Sequence, residues 1–138
     1  LALLVANAGY GMADYAEDGL GALGLDGREY MALAVLDDDR PSSQLELATL
    51  CGKAPAVIVD IVDGLESRGL VARSRDPEDR RRSIVTLTAT GRAALKKADR
   101  LADQVEREIL VGLDDDERRH LHELLQRAMT AAPAAQTA

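Results

Sequence analysis

The chain has 138 residues, 46% of them apolar, so it is long and apolar enough to bury a core and is not intrinsically disordered. Its 24 acidic and 17 basic residues give a formal net charge of −7, and no apolar run approaches the roughly 20 residues that a membrane-spanning helix needs. Its single cysteine, Cys51, excludes an internal disulfide framework and is typical of a reducing cytoplasm.

Two helices are predicted at the start of the chain. The first has apolar side chains at steps of three and four residues, which predicts one buried face. These positions are Leu1, Leu4, Val5, Ala8, Met12 and Tyr15. The segment lacks a basic leader, which favours a helix over a secretory signal. The glycine-rich stretch 19–27 ends it, and a second helix is predicted over 26–37, beginning at Asp26.

A short third helix follows. Ser43 and Glu46 have the spacing of a capping box, in which each side chain accepts a hydrogen bond from the other residue's backbone. We expect Leu45, Ala48 and Leu50 to face inward in this helix, which stops at Gly52.

A fourth helix begins near Pro55, since proline is well suited to the first turn. Its predicted inward face is apolar, and it closes at Arg68, Gly69 and Leu70, a glycine cap followed by an apolar contact residue. The inward residues are Ile58, Ile61, Val62 and Leu65. Two short helices joined by a turn that contains glycine form a helix-turn-helix motif.

The pattern changes after Leu70. Val71 and Arg73 precede a charged turn over 76–79, and residues 83–87 alternate and are rich in β-branched side chains, which predicts a β-hairpin. The hairpin is rich in arginine. Arg75, Arg80, Arg81 and Arg82 lie within eight positions.

Two more helices are predicted after the hairpin. The longer one starts at Thr88 and has an apolar seam that is typical of a coiled-coil-like contact. The seam comprises Leu95, Ala98, Ala102, Val105 and Ile109. A last helix begins in the acidic run 114–117, since acidic residues are favourable at a helix N-terminus. Its apolar residues are Leu121, Leu124, Leu125 and Ala128, and a frayed tail is expected over 131–138.

Charge is distributed unevenly along the chain. Residues 53–100 hold 11 basic and 7 acidic residues, whereas residues 1–52 hold 2 and 9 and residues 101–138 hold 4 and 8. A basic middle between acidic ends indicates that the middle meets a polyanion.

The arginine-rich hairpin follows the helix-turn-helix directly, which is the arrangement of a winged helix-turn-helix. A guanidinium on a thin hairpin can enter the narrow minor groove of DNA, where negative potential is concentrated. We expect Asp76 and Asp79 to brace the loop through ion pairs with neighbouring arginines. A solvated, self-neutralising loop is the alternative, and the preceding motif makes it the weaker one.

Three stretches, LELATLCG, IVDGLESRGLVAR and RDPEDRRRSIVTLTATGRAAL, resemble the MarR family of bacterial transcriptional regulators. The last is the most specific, because the family's wing has an Asp-Pro-x-Asp-Arg-Arg loop followed by Val-x-Leu-Thr-x-x-Gly. The resemblance covers about residues 26–112. It places Asp76, Asp79, Arg80 and Arg81 on the wing motif, with Arg80 or Arg81 as the minor-groove arginine.

The resemblance implies a mainly α fold with a small β-hairpin wing, in a single domain over 1–138. Residues 26–90 would form the winged helix-turn-helix lobe, and residues 1–22 and 91–130 the dimerisation helices. It further implies a ligand-responsive homodimer on a pseudo-palindromic DNA operator. The single cysteine and the lack of a long apolar run predict a cytoplasmic protein without membrane attachment, and no cofactor is expected. A small-molecule pocket would lie between the lobes and the dimer helices, and a small aromatic or phenolic ligand is a possible effector.

The predicted DNA contacts extend beyond the wing tip. They comprise Lys53, Pro55, Ala56, Val59, Asp60, Arg73, Arg75, Arg80, Arg81 and Arg82. The outward face of the fourth helix lacks the Arg, Lys, Asn or Gln that usually reads bases, and Asp60 has the wrong sign for phosphates. The alternative is therefore a winged-helix dimer that has lost specific DNA binding and acts as a ligand-binding or protein-interaction module.

The remaining candidate residues do not indicate an enzyme. Tyr10, Tyr15 and Tyr30 are equally suited to an effector pocket and to plain packing. Cys51 is expected to be buried rather than redox-active. His120 and His122 point to different sides of a helix, which disfavours a metal site. No phosphate-binding loop, nucleophile elbow or metal-spaced set is present in the sequence.

Overall fold

Six helices and a small antiparallel sheet form the part of the chain that the computed structural model describes, residues 1–37 and 42–131. In chain order they are α1 (Ala2–Ala22), α2 (Gly27–Leu36), β1 (Ser42–Ser43), α3 (Gln44–Cys51), α4 (Pro55–Ser67), β2 (Val71–Arg75), β3 (Ser83–Leu87), α5 (Ala89–Ile109) and α6 (Asp115–Ala131). The fold is therefore mainly helical with a β-hairpin wing, as predicted.

The predicted boundary between the first two helices is confirmed. Gly24, with a φ of 72°, ends α1 in the left-handed conformation that glycine adopts without strain. Asp26 caps α2, because its carboxylate accepts hydrogen bonds of 2.8 Å from the backbone N–H groups of Arg28 and Glu29. The segment that follows the second helix, residues 38–41, lies outside the described residues.

The third helix has the predicted cap but a different buried face. The Ser43–Glu46 capping box is present, yet Leu45 is 67% exposed and Leu50 is 63% exposed, so the prediction that these two face inward was wrong. A helix turns by about 100° per residue, so the face that enters the core is formed by neighbours spaced one and four apart. The residues buried there are Leu47, Ala48 and Cys51.

The fourth helix buries the predicted face, which comprises Ile58, Ile61, Val62 and Leu65. Gly69, with a φ of 70°, ends it, and the backbone N–H of Leu70 donates to the Leu65 carbonyl at 2.9 Å. With α3 and the turn at Gly52, this helix completes the predicted helix-turn-helix.

The wing is the hairpin of β2 and β3, paired from Val71 opposite Leu87 to Arg75 opposite Ser83. A third strand, β1, pairs with the other edge of β3 through Ser42 and Ser43, and it was not predicted from the sequence. Two residues are too few for an alternating pattern to appear. This strand joins the base of the wing to the start of α3.

The long helix α5 is anchored to the lobe at a point of close backbone approach. A Cβ atom added at Gly91 would lie 1.9 Å from the carbonyl oxygen of Leu70. Thr88 caps the helix, because its hydroxyl accepts from Gly91 N–H at 3.0 Å and donates to the Gly69 carbonyl at 2.7 Å. The glycine of the Thr-x-x-Gly pattern is therefore required by packing.

Part of the predicted dimer seam is used within the chain. Leu95, Ala98 and Val105 are buried, and α5 packs against α1 and α2 of the same chain. A Cβ added at Gly19 would lie 2.6 Å from a methyl group of Leu101, so α1 and α5 approach closely. These buried residues of the seam thus make an intramolecular contact.

Apolar residues of α1 and α6 are exposed. Leu1, Leu3, Leu4, Val5, Leu124, Leu125 and Met129 are exposed. The N-terminal half of α1 and α6 border an open apolar cavity of about 480 Å³. The helix α6 includes Ala131, and the remainder of the predicted tail lies outside the described residues. Within the described ranges, no helix is long and apolar enough to cross a lipid bilayer.

Candidate nucleic-acid interface

The outward face of α4 has the composition that the sequence indicated. Pro55, Ala56, Val59, Asp60 and Asp63 are all exposed. None of these side chains carries an N–H donor, so this face offers apolar surface and carboxylate oxygen only. Any readout of bases by this helix must use those two features.

The tip of the wing carries free cations. Arg75, Arg80 and Arg81 are exposed, and within residues 1–37 and 42–131 their guanidinium groups have no ionic partner. Arg82 differs, because its Nη2 donates to Glu46 Oε1 at the start of α3, at 3.1 Å. Three of the four clustered arginines are thus available to an external anion.

Arg73 is committed to the protein itself. Its Nη1 lies 2.5 Å from Glu66 Oε2, and its Nη2 lies 2.5 Å from Asp63 Oδ1, so it joins β2 to the C-terminal half of α4. Burial alone would lower the pKa of Arg73, but the hydrogen bonds to Asp63 and Glu66 outweigh it and raise the pKa. Arg73 thus has two carboxylate partners within the lobe, and its expected contact with DNA stays a prediction.

Asp76 and Asp79 stabilise the wing loop in a way that we did not predict. Asp76 Oδ1 accepts from the Glu78 backbone N–H at 2.9 Å, and Asp79 Oδ1 accepts from the Arg81 backbone N–H at 3.0 Å. In the described chain neither carboxylate pairs with an arginine side chain, so the expected ion pairs were wrong. The short side chain of aspartate favours such local turns, and the arginines stay free.

An open cavity of about 670 Å³ lies between α1, α2 and α5. Its apolar lining includes Met12, Leu20 and Val105. Its charged lining residues are Glu17, Asp26, Arg28 and Lys53. Lys53 is exposed in the turn between α3 and α4, so it borders both this cavity and the helix-turn-helix. Arg28 was missed in the sequence, where no periodic pattern distinguishes it from other surface arginines.

The three tyrosines do not converge. Tyr30 lines the cavity and donates a hydrogen bond of 3.0 Å to Asp99 Oδ1 on α5. Burial and this carboxylate raise the pKa of Tyr30 to about 12. Tyr10 and Tyr15 are exposed outside the cavity lining, and the hydrogen bond of Tyr15 to Glu108 raises its pKa. Of the three tyrosines, Tyr30 lines this cavity, whereas Tyr10 and Tyr15 do not.

Cys51 and the histidines show no catalytic or metal-binding arrangement. Cys51 is buried in the core, as expected, and burial raises the pKa of its thiol, which disfavours the reactive thiolate. Nδ1 of His120 lies 3.9 Å from Glu123. Among the described residues, no group of three or more His, Cys, Asp or Glu side chains is placed to hold a metal ion.

Known proteins share this sequence and fold. Residues 23–82 match the model of the MarR family. "Transcriptional regulator HosA" of Escherichia coli O111:H- is 31% identical over 103 residues, which span 75% of this chain and 76% of that protein.

Two solved structures share the fold over nearly the whole chain. One is Bordetella bronchiseptica BpsR, whose DNA binding is regulated by 6-hydroxynicotinic acid. It is 27% identical, with a TM-score of 0.81 and coverage of 96% of this chain and 94% of that one. The other is CouR of Rhodococcus jostii RHA1 bound to p-coumaroyl-CoA, 29% identical, with a TM-score of 0.80 and coverage of 99% and 93%. The chain belongs to the MarR family of transcriptional regulators.

Proposed function

We propose that this protein is a homodimeric MarR-type regulator that binds a pseudo-palindromic DNA operator and is released by a small organic effector. One observation carries the proposal. The exposed guanidinium groups of Arg75, Arg80 and Arg81 are carried by the same lobe that exposes the outward face of α4. Although the protein is acidic overall, these unpaired guanidinium groups give the hairpin a local positive charge that can bind a polyanion.

The wing contacts the phosphates and the minor groove. Arg80 and Arg81 stand at the tip of the loop, and the backbone contacts of Asp76 and Asp79 hold that loop without neutralising them. Arg73 fixes the angle between the wing and α4 through Glu66 and Asp63. A rigid loop loses less conformational entropy when its arginines enter the groove, which supports the wing as the main source of affinity.

A second copy of the chain covers the exposed faces of α1 and α6. Leu4 is 72% exposed and Leu1 is 96% exposed, and they border the same apolar cavity as Leu121 and Leu125 of α6. A contiguous apolar patch of this kind is typical of an interface between proteins. Two-fold symmetry of the dimer would then match a pseudo-palindromic operator.

The effector occupies the cavity between α1, α2 and α5. Its wall is mainly apolar, and its charged and phenolic groups are the cations Arg28 and Lys53, the carboxylates Glu17 and Asp26 and the Tyr30 phenol. Arg28 is paired with Asp26 at 3.0 Å, so Lys53 is the cation that remains for an aromatic acid. BpsR responds to 6-hydroxynicotinic acid, and CouR was solved with p-coumaroyl-CoA. Both ligands join an aromatic ring to acidic groups, which supports the same ligand class here.

A second function is favoured by the composition of α4. The exposed residues Ala56, Val59 and Asp60 include no base-reading cation or amide. A winged-helix dimer that has lost specific DNA binding, and acts as a ligand-binding or protein-interaction module, fits this feature. The free arginines of the wing favour the DNA-binding function over it.

Fluorescence anisotropy separates the two functions. The probe is a labelled duplex from the region upstream of the protein's own gene, compared with a duplex of the same length and scrambled sequence. The proposed function predicts tighter binding to the upstream duplex, with affinity that falls as salt rises. Equal and negligible binding to both duplexes at low salt would contradict the proposed function and favour the second one.

A further inference from the structure

The residues that would meet base edges form a small set with a restricted chemistry. In a helix-turn-helix the N-terminal residues of the recognition helix contact the bases. On the outward face of α4 these are Ala56, Val59 and Asp60, all exposed. They offer two apolar side chains and one carboxylate, and no donor.

Asp60 is the free carboxylate of this face. Asp63, one turn further along, is paired with Arg73, whereas Asp60 makes no hydrogen bond or ion pair with any described residue. The charge of Asp60 acts on Arg28 of α2. The pKa of Arg28 is raised mainly by its hydrogen bond to Asp26, to which Asp60 adds only a weak electrostatic attraction. The Asp60 oxygens are therefore available as hydrogen-bond acceptors.

An acceptor in the major groove discriminates strongly among the four bases. Guanine presents the acceptors N7 and O6 there, and thymine presents O4, so both repel a carboxylate. Adenine has an N6 amino group, but its N7 acceptor lies beside it. Cytosine presents its N4 amino group, whose neighbour is a C–H edge rather than an acceptor. Cytosine is thus the base that a lone aspartate accommodates best.

We propose that Asp60 is a specificity-determining residue that accepts a hydrogen bond from the N4 amino group of a cytosine, with Val59 and Ala56 against the methyl group of a neighbouring thymine. This inference rests on the proposed DNA-binding function and adds the base that α4 reads. Because the carboxylate also repels phosphates, Asp60 lowers affinity for all other sequences. Specificity then arises largely by rejection of wrong bases.

The unpaired arginines of the wing compensate for the negative charge that Asp60 brings to the DNA surface. A carboxylate pressed into the groove weakens overall attraction to DNA, and Arg75, Arg80 and Arg81 offset that repulsion from the wing. Affinity and specificity are therefore assigned to different elements of the lobe, affinity to the wing and base choice to α4.

The experiment is an in vitro selection from a pool of random duplexes, with wild-type protein and Asp60→Asn in parallel. Asparagine has the size of aspartate but adds a donor, which suits adenine. The control is Asp14→Asn on α1, an exposed aspartate outside the lobe. Circular dichroism verifies the fold of both variants. Anisotropy then compares the selected duplex with one in which the cytosine pair is replaced by a thymine–adenine pair.

We expect wild type and Asp14→Asn to select a fixed cytosine in each half-site and to lose about 5- to 150-fold in affinity when it is replaced. Asp60→Asn should lose this discrimination and favour adenine there. Asp60→Arg should bind scrambled duplexes more tightly than wild type while losing the cytosine preference.

Selected duplexes without a fixed cytosine, or an Asp60→Asn protein that retains the full discrimination, would overturn the role of Asp60 and leave the proposed function intact. Failure of the wild-type protein to enrich any duplex would overturn both.

Discussion

Nη1 of Arg73 lies 2.5 Å from Oε2 of Glu66, and this contact joins the first strand of the wing to the recognition helix. Glu66 also accepts from the backbone N–H of Arg73, at 3.1 Å. Glu66, together with the ion pair between Asp63 and Arg73, thereby holds at one angle the two elements that would enter adjacent grooves of DNA.

The contact between Glu66 and Arg73 makes the free energy of unfolding depend on pH in a defined direction. The backbone N–H and then the guanidinium of Arg73 hold the pKa of Glu66 below its ordinary value, which is about 4.3. A lowered folded-state pKa means that the stabilisation is complete above about pH 4.3 and is lost as pH falls through the lowered pKa. Glu66→Gln should therefore be less stable than wild type near neutral pH, and the difference should shrink in acid.

Urea unfolding followed by circular dichroism, at about pH 7 and about pH 3, measures this difference. Glu106→Gln on α5 removes an exposed glutamate that forms no side-chain hydrogen bond or ion pair among the described residues, and serves as the control. A stability difference for Glu66→Gln that is the same at both pH values would be incompatible with this role of the ion pair.

The close packing at Gly91 predicts that a larger residue at this position destabilises the protein. A Cβ there would lie 1.9 Å from the carbonyl oxygen of Leu70. This oxygen belongs to the backbone, so a change of side-chain rotamer cannot relieve the clash. Gly91→Ala should therefore destabilise the protein by about 3 kcal/mol, as overpacking against a rigid neighbour does. Gly21→Ala, where nothing lies within 4 Å of the added atom, should be neutral or slightly stabilising because alanine favours a helix. Thermal unfolding of both variants tests the pair, and equal melting temperatures would refute the packing requirement.

Assembly is tested on α1, because much of the α5 seam is buried inside its own chain. Leu4→Asp adds a charge to the exposed face of α1 and should convert a dimer to a folded monomer. Leu45→Asp, at a similarly exposed leucine of α3, should leave the dimer intact. Size-exclusion chromatography with light scattering distinguishes these states. A wild-type protein that is monomeric at micromolar concentration would contradict the proposed homodimer.

The effector cavity predicts a selective loss of response. Ala102 is half-buried in the cavity lining, so Ala102→Phe should obstruct the cavity while leaving DNA binding in the absence of effector unchanged. Ala93→Phe, at an exposed position of the same helix, is the matched control. The probe is 6-hydroxynicotinic acid together with a panel of other aromatic carboxylates, scored by release of labelled DNA. Equal release from the wild-type protein and Ala102→Phe would argue against this cavity.

Much of the lobe is predictable from its sequence because helix caps and apolar periodicity depend on neighbouring residues alone. Asp26 and Ser43 cap helices as the capping-box spacing requires, and the inward face of α4 follows from its apolar periodicity. In α3 five apolar residues compete for one face, so tertiary packing decides the outcome. Leu47 and Cys51 are buried, and Leu45 and Leu50 are not.

Side-chain partners were harder to predict than helices. Arg73 and Arg80 look alike in the sequence, yet one is paired with Glu66 and Asp63 while the other has no ionic partner among the described residues. The difference depends on how β2 crosses the end of α4, which is a three-dimensional relationship. Tyr30 reaches Asp99, 69 residues away, and no local pattern separates it from Tyr10 or Tyr15.

The central claim is that the free arginines of the wing bind DNA, and the salt dependence of binding tests it most directly. Anisotropy with the upstream duplex is measured at several salt concentrations for wild type and for the double variant Arg80→Ala/Arg81→Ala. The control double variant Arg119→Ala/Arg127→Ala removes the same charge from α6. Removal of the wing arginines should weaken binding and make the slope of log K against log salt shallower by about 0.9 for each phosphate that the variant no longer neutralises. The control should behave as wild type, and a wing variant with the wild-type affinity and slope would contradict the claim.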